Sequence, residues 1–520
     1  MTFDNVKGSD LISSTNAIQF SEISNRILNN SPEFAIEYLS KFDGINIDIA
    51  KKFVVMLDRV LNTQIVLKEI SPEIVKDPEE YIRYFGRLGQ GGTRLSDDEL
   101  TYSIIKQRYP NIHGQMQEIM TSEVGRIASE VDLVLSAIRI SKTMKPWKNA
   151  KEWEIIARPN PKSVAQLHDH DEVINKFFEL IPLDSEEGLL KKALQKIRNA
   201  LSYEKNNNSN GLPAMLLARL PHELVDVLIL FVIKKGVDRT WEKNDQSKLC
   251  SFTLYWLLFV KNHDKAAWLA FRHARNEEWH FEQDSIYKLI RAFENDGAAN
   301  FIPREDDLKK LQDEVNSEVM KEGYILHSWS DRFKAADINR DQKPGEALRV
   351  LSTNKELIQR ALMWLQRSYL TVNYSYYDPT TDRDDDLPID LDHIIPHDLF
   401  GFYWGDSVKR LQSDIINHEV MKDNFRWQRG LVGDSLGNFR WLDASQNRAR
   451  GKGVFIPLED NADFVVEPDD WNKIIPKESE TQNWSKEDIA TFQRLIDKRT
   501  LDIYKEILDR GIKDILPPKN

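Results

Sequence analysis

Apolar residues run almost unbroken from Leu224 to Ile233, with Pro221 before them and Lys234, Lys235 and Gly236 behind. The proline sets a first helical turn, the two lysines suit a helix C-terminus, and the glycine supplies a stop. The run is too short to span the roughly 30 Å of a bilayer's hydrocarbon. It reads as a buried core helix, and so does Leu254–Val260. Elsewhere Val124, Ile127, Val131, Val134, Leu135 and Ile138 recur at helical spacing. A C-terminal stripe of Ile489, Phe492, Ile496, Ile503 and Ile507 follows Ser485, which with Asp488 offers a capping pattern; Pro517 and Pro518 close it. The expectation is a mainly α, multidomain chain. Its 520 residues suggest roughly three or four domains. The polar segments 203–213 and 377–388 read as breaks between helical stretches, the first as a subdomain boundary.

Composition narrows the function classes. Charged residues make up 30% and apolar ones 41%, and the mean hydropathy is -0.51. This suits a globular protein with no membrane partner. The N-terminal residues lack the layout of a signal peptide. The single cysteine, Cys250, cannot form an internal disulfide and excludes a cysteine-based zinc site. A cytoplasmic location is expected. The net charge of -12 argues against a general nucleic-acid coat protein. Yet Met421–Gly453 carries seven basic residues against three acidic ones, a local +4. Such a field is what a phosphate backbone needs.

That basic stretch lies beyond Asp390-Leu-Asp-His-Ile-Ile-Pro396, a short strand-like apolar run holding an Asp-His pair. Asn438 and Asn447 follow, nine positions apart. Metal-assisted phosphodiester cleavage needs a base to deprotonate water and a cation to stabilise charge. Mg²⁺, or Mn²⁺, prefers oxygen ligands and keeps several waters, so one carboxylate and one amide oxygen are enough. Asp392 and Asn447 supply those donors. His393 suits the general base, because imidazole titrates near neutrality. Asn438 is the group expected to fix the imidazole tautomer and the loop carrying it. Arg440, Arg448, Arg450 and Lys452 are the candidate DNA-phosphate contacts. Adjacent strand residues point to opposite faces, so Asp392 and His393 converge only if the strand ends or bends beside them, as Pro396 suggests. His397 is set aside as a zinc ligand. Ile-Ile-Pro breaks the helix such a site needs, and its glutamate is missing. Asp382, Asp384, Asp385 and Asp386 read as a solvated loop.

Taken together, Asp-His-Ile-Ile-Pro, Gly-Asn-Phe-Arg-Trp-Leu and Gln-Asn-Arg-Ala-Arg-Gly-Lys resemble the HNH nucleases and their ββα-metal fold. The resemblance implies Asp392 as Mg²⁺ ligand, His393 as general base, Asn438 as the middle asparagine and Asn447 as second ligand. The spacing of the asparagines is similar to that in CRISPR effector HNH domains.

A second stretch, Arg87-Leu-Gly-Gln-Gly-Gly-Thr-Arg-Leu-Ser-Asp-Asp-Glu-Leu100, has glycines ahead of a helix start. Gly89, Gly91 and Gly92 could cradle a phosphate. Ser96 and Glu99 instead form a capping box, and Asp97, Asp98 and Glu99 already occupy the positive helix end. A structural turn is the preferred reading. With its continuation to Lys106, the stretch resembles the N-terminal domain of GmrSD-type restriction proteins and phosphorothioate-linked defence nucleases. The match spans roughly residues 50–140 and 370–510. It implies a remnant of a nucleotide-dependent domain at 1–150, a helical middle at 151–370, an HNH domain at 371–480 and a C-terminal helix at 481–520. The Gln-Arg and Asp-Gly-Gln-Gln-Arg motifs of those proteins do not occur here, so nucleotide binding by this chain is not expected. A separate nucleotide-binding polypeptide would be its partner, or the chain is a truncated product. The implied function is Mg²⁺-dependent DNA cleavage or nicking in defence against foreign DNA. The rival is a non-catalytic DNA-binding or regulatory subunit. The sequence leaves the oligomeric state open, a homo-oligomer included.

Overall fold

The computed structural model describes residues 23, 27, 32–42, 45–61, 96–122, 127–183, 187–276, 278–319, 329–338, 343–374, 388–394, 403–404, 407–408, 433–450 and 486–516. The chain is mainly helical, with little strand. It divides into two units, Met1–Asp77 and Pro78–Asn520. In the first, helices α1 (Pro32–Leu39) and α2 (Ile47–Leu61) pack together. Ala35, Leu39, Ala50, Val54 and Leu57 form their core with Ile23 and Ile27.

The second unit begins with α3 (Asp97–Arg108), α4 (Asn111–Thr121) and α5 (Glu130–Met144). Short helices α6 (Glu152–Ile156) and α7 (Pro161–Ala165) lead to α8 (Asp171–Leu180), α9 (Leu189–Leu201) and α10 (Ala214–Leu217). The centre is α11 (His222–Lys235), α12 (Lys243–Phe259), α13 (His263–Ala274) and α14 (Gln283–Asn295). Next come α15 (Glu305–Val319), α16 (Trp329–Ala335), α17 (Pro344–Thr353), α18 (Lys355–Leu365) and α19 (Arg367–Asn373). Four short strands follow: β1 (Ile389–His393), β2 (Tyr403–Trp404), β3 (Ser407–Val408) and β4 (Phe439–Asp443). The described part closes with α20 (Ala444–Arg450), α21 (Lys486–Glu506) and a π-helical turn at Ile507–Gly511.

α11 forms where the sequence places a helix. Pro221 stands at the N-cap, and Gly236 ends the helix at φ 102°, a conformation that favours glycine. Every residue from Leu224 to Val232 is buried, as a helix apolar nearly all round must be. The exception in type is Asp226, fully buried on the same helix. A buried carboxylate needs partners. Asp226 accepts hydrogen bonds from the Ser136 hydroxyl and, at 2.9 Å, from Arg139 Nη1. Arg158 joins it at 3.5 Å and also pairs with Asp98 and Asp132. The expected capping box at the start of α3 is present: Glu99 N–H donates to Ser96 Oγ at 3.2 Å, and Ser96 N–H to Glu99 Oε2 at 2.7 Å. The glycines before it lie outside the described residues, as do Ser485, Pro517 and Pro518. Of the C-terminal stripe, Ile496, Ile503 and Ile507 are buried; the side chains of Ile489 and Phe492 lie outside the described residues.

One continuous core runs from Tyr102 to Ile515 and includes Ile389, Leu436, Phe439 and Trp441. Residues on both sides of 150, 370 and 480 share it. Segment 203–213 ties parts together instead of separating them. Asn208 Nδ2 donates to the Ala200 and Ser202 carbonyls, Arg367 Nε to the Ser209 carbonyl and Trp364 Nε1 to the Asn210 carbonyl. Among the described residues, no helix is long and apolar enough to cross a membrane.

Candidate functional site

β1 and β4 pair antiparallel, from Ile389 opposite Asp443 to His393 opposite Phe439. α20 follows β4 directly and packs on both strands. A two-stranded ribbon is marginal by itself, and here polar side chains bolt it to the helices. The Gln366 amide acts as a substitute strand: Trp441 N–H donates to its Oε1 at 2.7 Å, and its Nε2 donates to the Trp441 carbonyl at 3.0 Å. Trp441 Nε1 reaches the Gln359 carbonyl. From α21, buried Arg499 donates through Nη1 to the carbonyls of Gly437 at 2.9 Å and Phe439 at 2.7 Å. Burial disfavours its charged form, and the neighbouring Arg440 cation adds to this. Gly437 permits the close approach, because a Cβ there would sit 2.1 Å from the Ile496 carbonyl oxygen. Asp443 caps α20, accepting from the Ser445 and Gln446 N–H groups at 2.9 and 3.1 Å. Partial burial pushes its carboxyl up, but the bonds from Ser445, Gln446 and Tyr374 outweigh it, and it lies below the ordinary value.

Strand alternation sorts the candidate residues into two groups. Asp390, Asp392 and Arg440 share one face. Asp392 is buried, and its Oδ2 accepts from Arg440 Nε at 2.9 Å. The sequence reading placed Arg440 at a DNA phosphate; it is fully buried, so its guanidinium has no path to a solvated backbone. The expected partnership of Asp392 with Asn447 also differs. Asn447 Nδ2 donates to Asp390 Oδ2 at 3.3 Å, because α20 lies nearest the start of β1. Arg448 Nε stands 3.5 Å from the same oxygen and is mostly exposed. Lys452, His397 and the acidic residues at 382–386 lie outside the described residues, as does the Arg450 side chain.

His393 ends β1 on the opposite face, with its ring 4.4 Å from that of Phe439. Its Nε2 lies 2.9 Å from Asp434 Oδ1. Asn438 is fully buried and holds the turn at 433–438. Its Nδ2 donates to the Gly433 carbonyl at 2.8 Å, and its own carbonyl accepts from Ile394 N–H at 2.8 Å. The sequence assigned Asn438 to the imidazole as well as to the loop; its Nδ2 bond goes to Gly433, and the carboxylate at the imidazole is that of Asp434. Asp390, Asp434, Gln366 and Arg499 escaped the sequence reading. The i, i+2 spacing of Asp390 and Asp392 was a usable signal for the first. The other three join segments far apart in sequence, and nothing local marks them.

Among the described residues, no three His, Cys, Asp or Glu side chains converge on a metal-sized site. At β1 the Asp390 carboxylate accepts from the Asn447 amide nitrogen and the Asp392 carboxylate accepts from Arg440; carboxylate and amide oxygens are the donor type that a hard divalent cation takes. No family model matches the chain, and no curated protein or solved structure matches it either.

Proposed function

We propose that the β1–β4–α20 unit is the catalytic part of a Mg²⁺- or Mn²⁺-dependent DNA endonuclease of the ββα-metal kind. The observation that carries this reading is the strand–strand–helix unit. β1 and β4 pair antiparallel, β4 runs straight into α20, and the Asn447 amide meets the carboxylate face of β1, while His393 ends that strand on its other face. Asp390 and Asn447, with Asp392 beside them on the same strand face, would hold the cation. When bound, the cation supplies charge stabilisation for the phosphorane-like state and for the departing 3′ oxygen. His393 takes a proton from water as the water oxygen bonds to phosphorus. The P–O3′ bond breaks with its electron pair on the 3′ oxygen, which solvent protonates. Arg448, Arg450 and Lys452 contact phosphates, and Arg440 instead balances Asp392. Restriction of foreign DNA is the proposed role, supported by the resemblance to GmrSD-type proteins.

The buried Asp392–Arg440 pair favours one rival, a non-catalytic DNA-binding or regulatory subunit. Supercoiled plasmid incubated with the full chain separates the two. Nicking should require Mg²⁺ or Mn²⁺ and stop with EDTA. His393→Ala should slow it about a hundred- to ten-thousand-fold with an unchanged circular dichroism spectrum. Absence of metal-dependent nicking by the wild type would sink the nuclease reading in favour of the subunit.

A further inference from the structure

The His393–Asp434 contact assigns a role to a residue outside the Asp-His-Asn pattern. A carboxylate only accepts hydrogen bonds. At 2.9 Å from Asp434 Oδ1, His393 Nε2 must therefore carry the proton. In neutral imidazole the other nitrogen, Nδ1, then holds the lone pair. Phe439 packs against the ring at 4.4 Å and opposes its rotation.

Asp434 is itself held firmly. The buried Asn438 amide clamps the Gly433 carbonyl next to it, and Asn438 N–H donates to the Ser435 carbonyl on its other side. Three residues on, Gly437 is pressed against the Ile496 backbone, and Arg499 grips the carbonyls of Gly437 and Phe439. A chain of directional contacts thus runs from α21 through the turn at 433–438 to the imidazole.

We propose that Asp434 is a positioning residue that fixes His393 as its Nε2–H tautomer, leaving Nδ1 as the atom that accepts the proton from water. The catalytic consequence rests on the nuclease reading above. In the step, a water O–H bond breaks toward Nδ1 while the O–P bond forms and the P–O3′ bond cleaves. The resulting imidazolium faces the Asp434 carboxylate, which stabilises its charge without taking its proton.

The test uses the full chain labelled with ¹⁵N-histidine, with the His393 resonances identified by their loss in His393→Gln. The wild type should show a downfield Nε2–H proton hydrogen-bonded to a carboxylate, and Asp434→Ala should lose it while the thermal unfolding midpoint stays put. In plasmid nicking, Asp434→Ala should lower kcat about ten- to a hundredfold with KM nearly unchanged, and Asp434→Glu should recover part of the rate. An absent downfield signal in the wild type, or one that survives Asp434→Ala, would overturn the proposal. So would a rise in KM with kcat intact. If the signal behaves as expected but the wild type cuts nothing, the pair stands as structure and the nuclease reading falls.

Discussion

The α11–α12 core and the β1–β4 ribbon are held in opposite ways. The core is built from Leu, Val, Ile and Phe side chains buried on all sides, and burial is non-directional, roughly proportional to area. A charged intruder, Asp226, is matched by Arg139 and Arg158. The ribbon adds Ile389, Phe439 and Trp441 to that core, but burial alone does not set its register. It keeps its place through hydrogen bonds of fixed direction from Gln366, Arg499, Asn438 and Asp443, and through one buried ion pair. A core of the first kind tolerates imprecision. A site of the second kind places reactive groups accurately and loses them when a single partner goes.

Three substitutions probe that contrast. Arg440→Met leaves the Asp392 carboxylate buried without its ion-pair partner, and should lower stability by about 4 kcal/mol in urea unfolding. Amide exchange at 439–443 should accelerate more than in α11; unchanged exchange in β4 would break the comparison. Leu228→Ala opens a cavity in fully buried α11 and should cost about 3 kcal/mol. This loss should appear in α11 and β4 together, since both belong to one core; protection lost in α11 alone would contradict that continuity.

The smallest effect belongs to Lys142, buried beside Arg139. Burial, with Arg139 adding to it and Glu154 opposing, pulls its ammonium from 10.5 down to about 8. Between those values the unfolded chain holds more protons than the folded one, so this residue's contribution to stability rises with pH and is lost as pH falls through about 8. Lys142→Met should therefore stabilise the protein at pH 7 by about 2 kcal/mol, allowing for the lost bond to the Ala157 carbonyl. The gain should fade toward pH 10. A gain independent of pH in thermal melts would show that the charge is not its source.

What was legible in the sequence was local. The start and stop of α11 and the Ser96–Glu99 box depend on residues within a turn or two of one another, and each formed as read. For Asn438 only the local part shows, its bond to the Gly433 carbonyl; the imidazole contact also expected of it is made by Asp434. The site was read less completely. The direction of Arg440 could not be seen, since a cross-strand partner at Asp392 turns it inward and a basic segment looks the same either way. The choice of Asp390 by Asn447 depends on where α20 docks along β1.

By itself, then, the sequence determined a helical chain with a buried centre and an Asp-His strand followed by two spaced asparagines. Those features follow from periodicity and short-range hydrogen bonding. Only the tertiary structure decided which carboxylate meets which amide, that Arg440 is an internal counter-ion, and that Asp434 stands against His393. Each of these joins segments distant along the chain, and the docking of α18, α20 and α21 on the ribbon sets them.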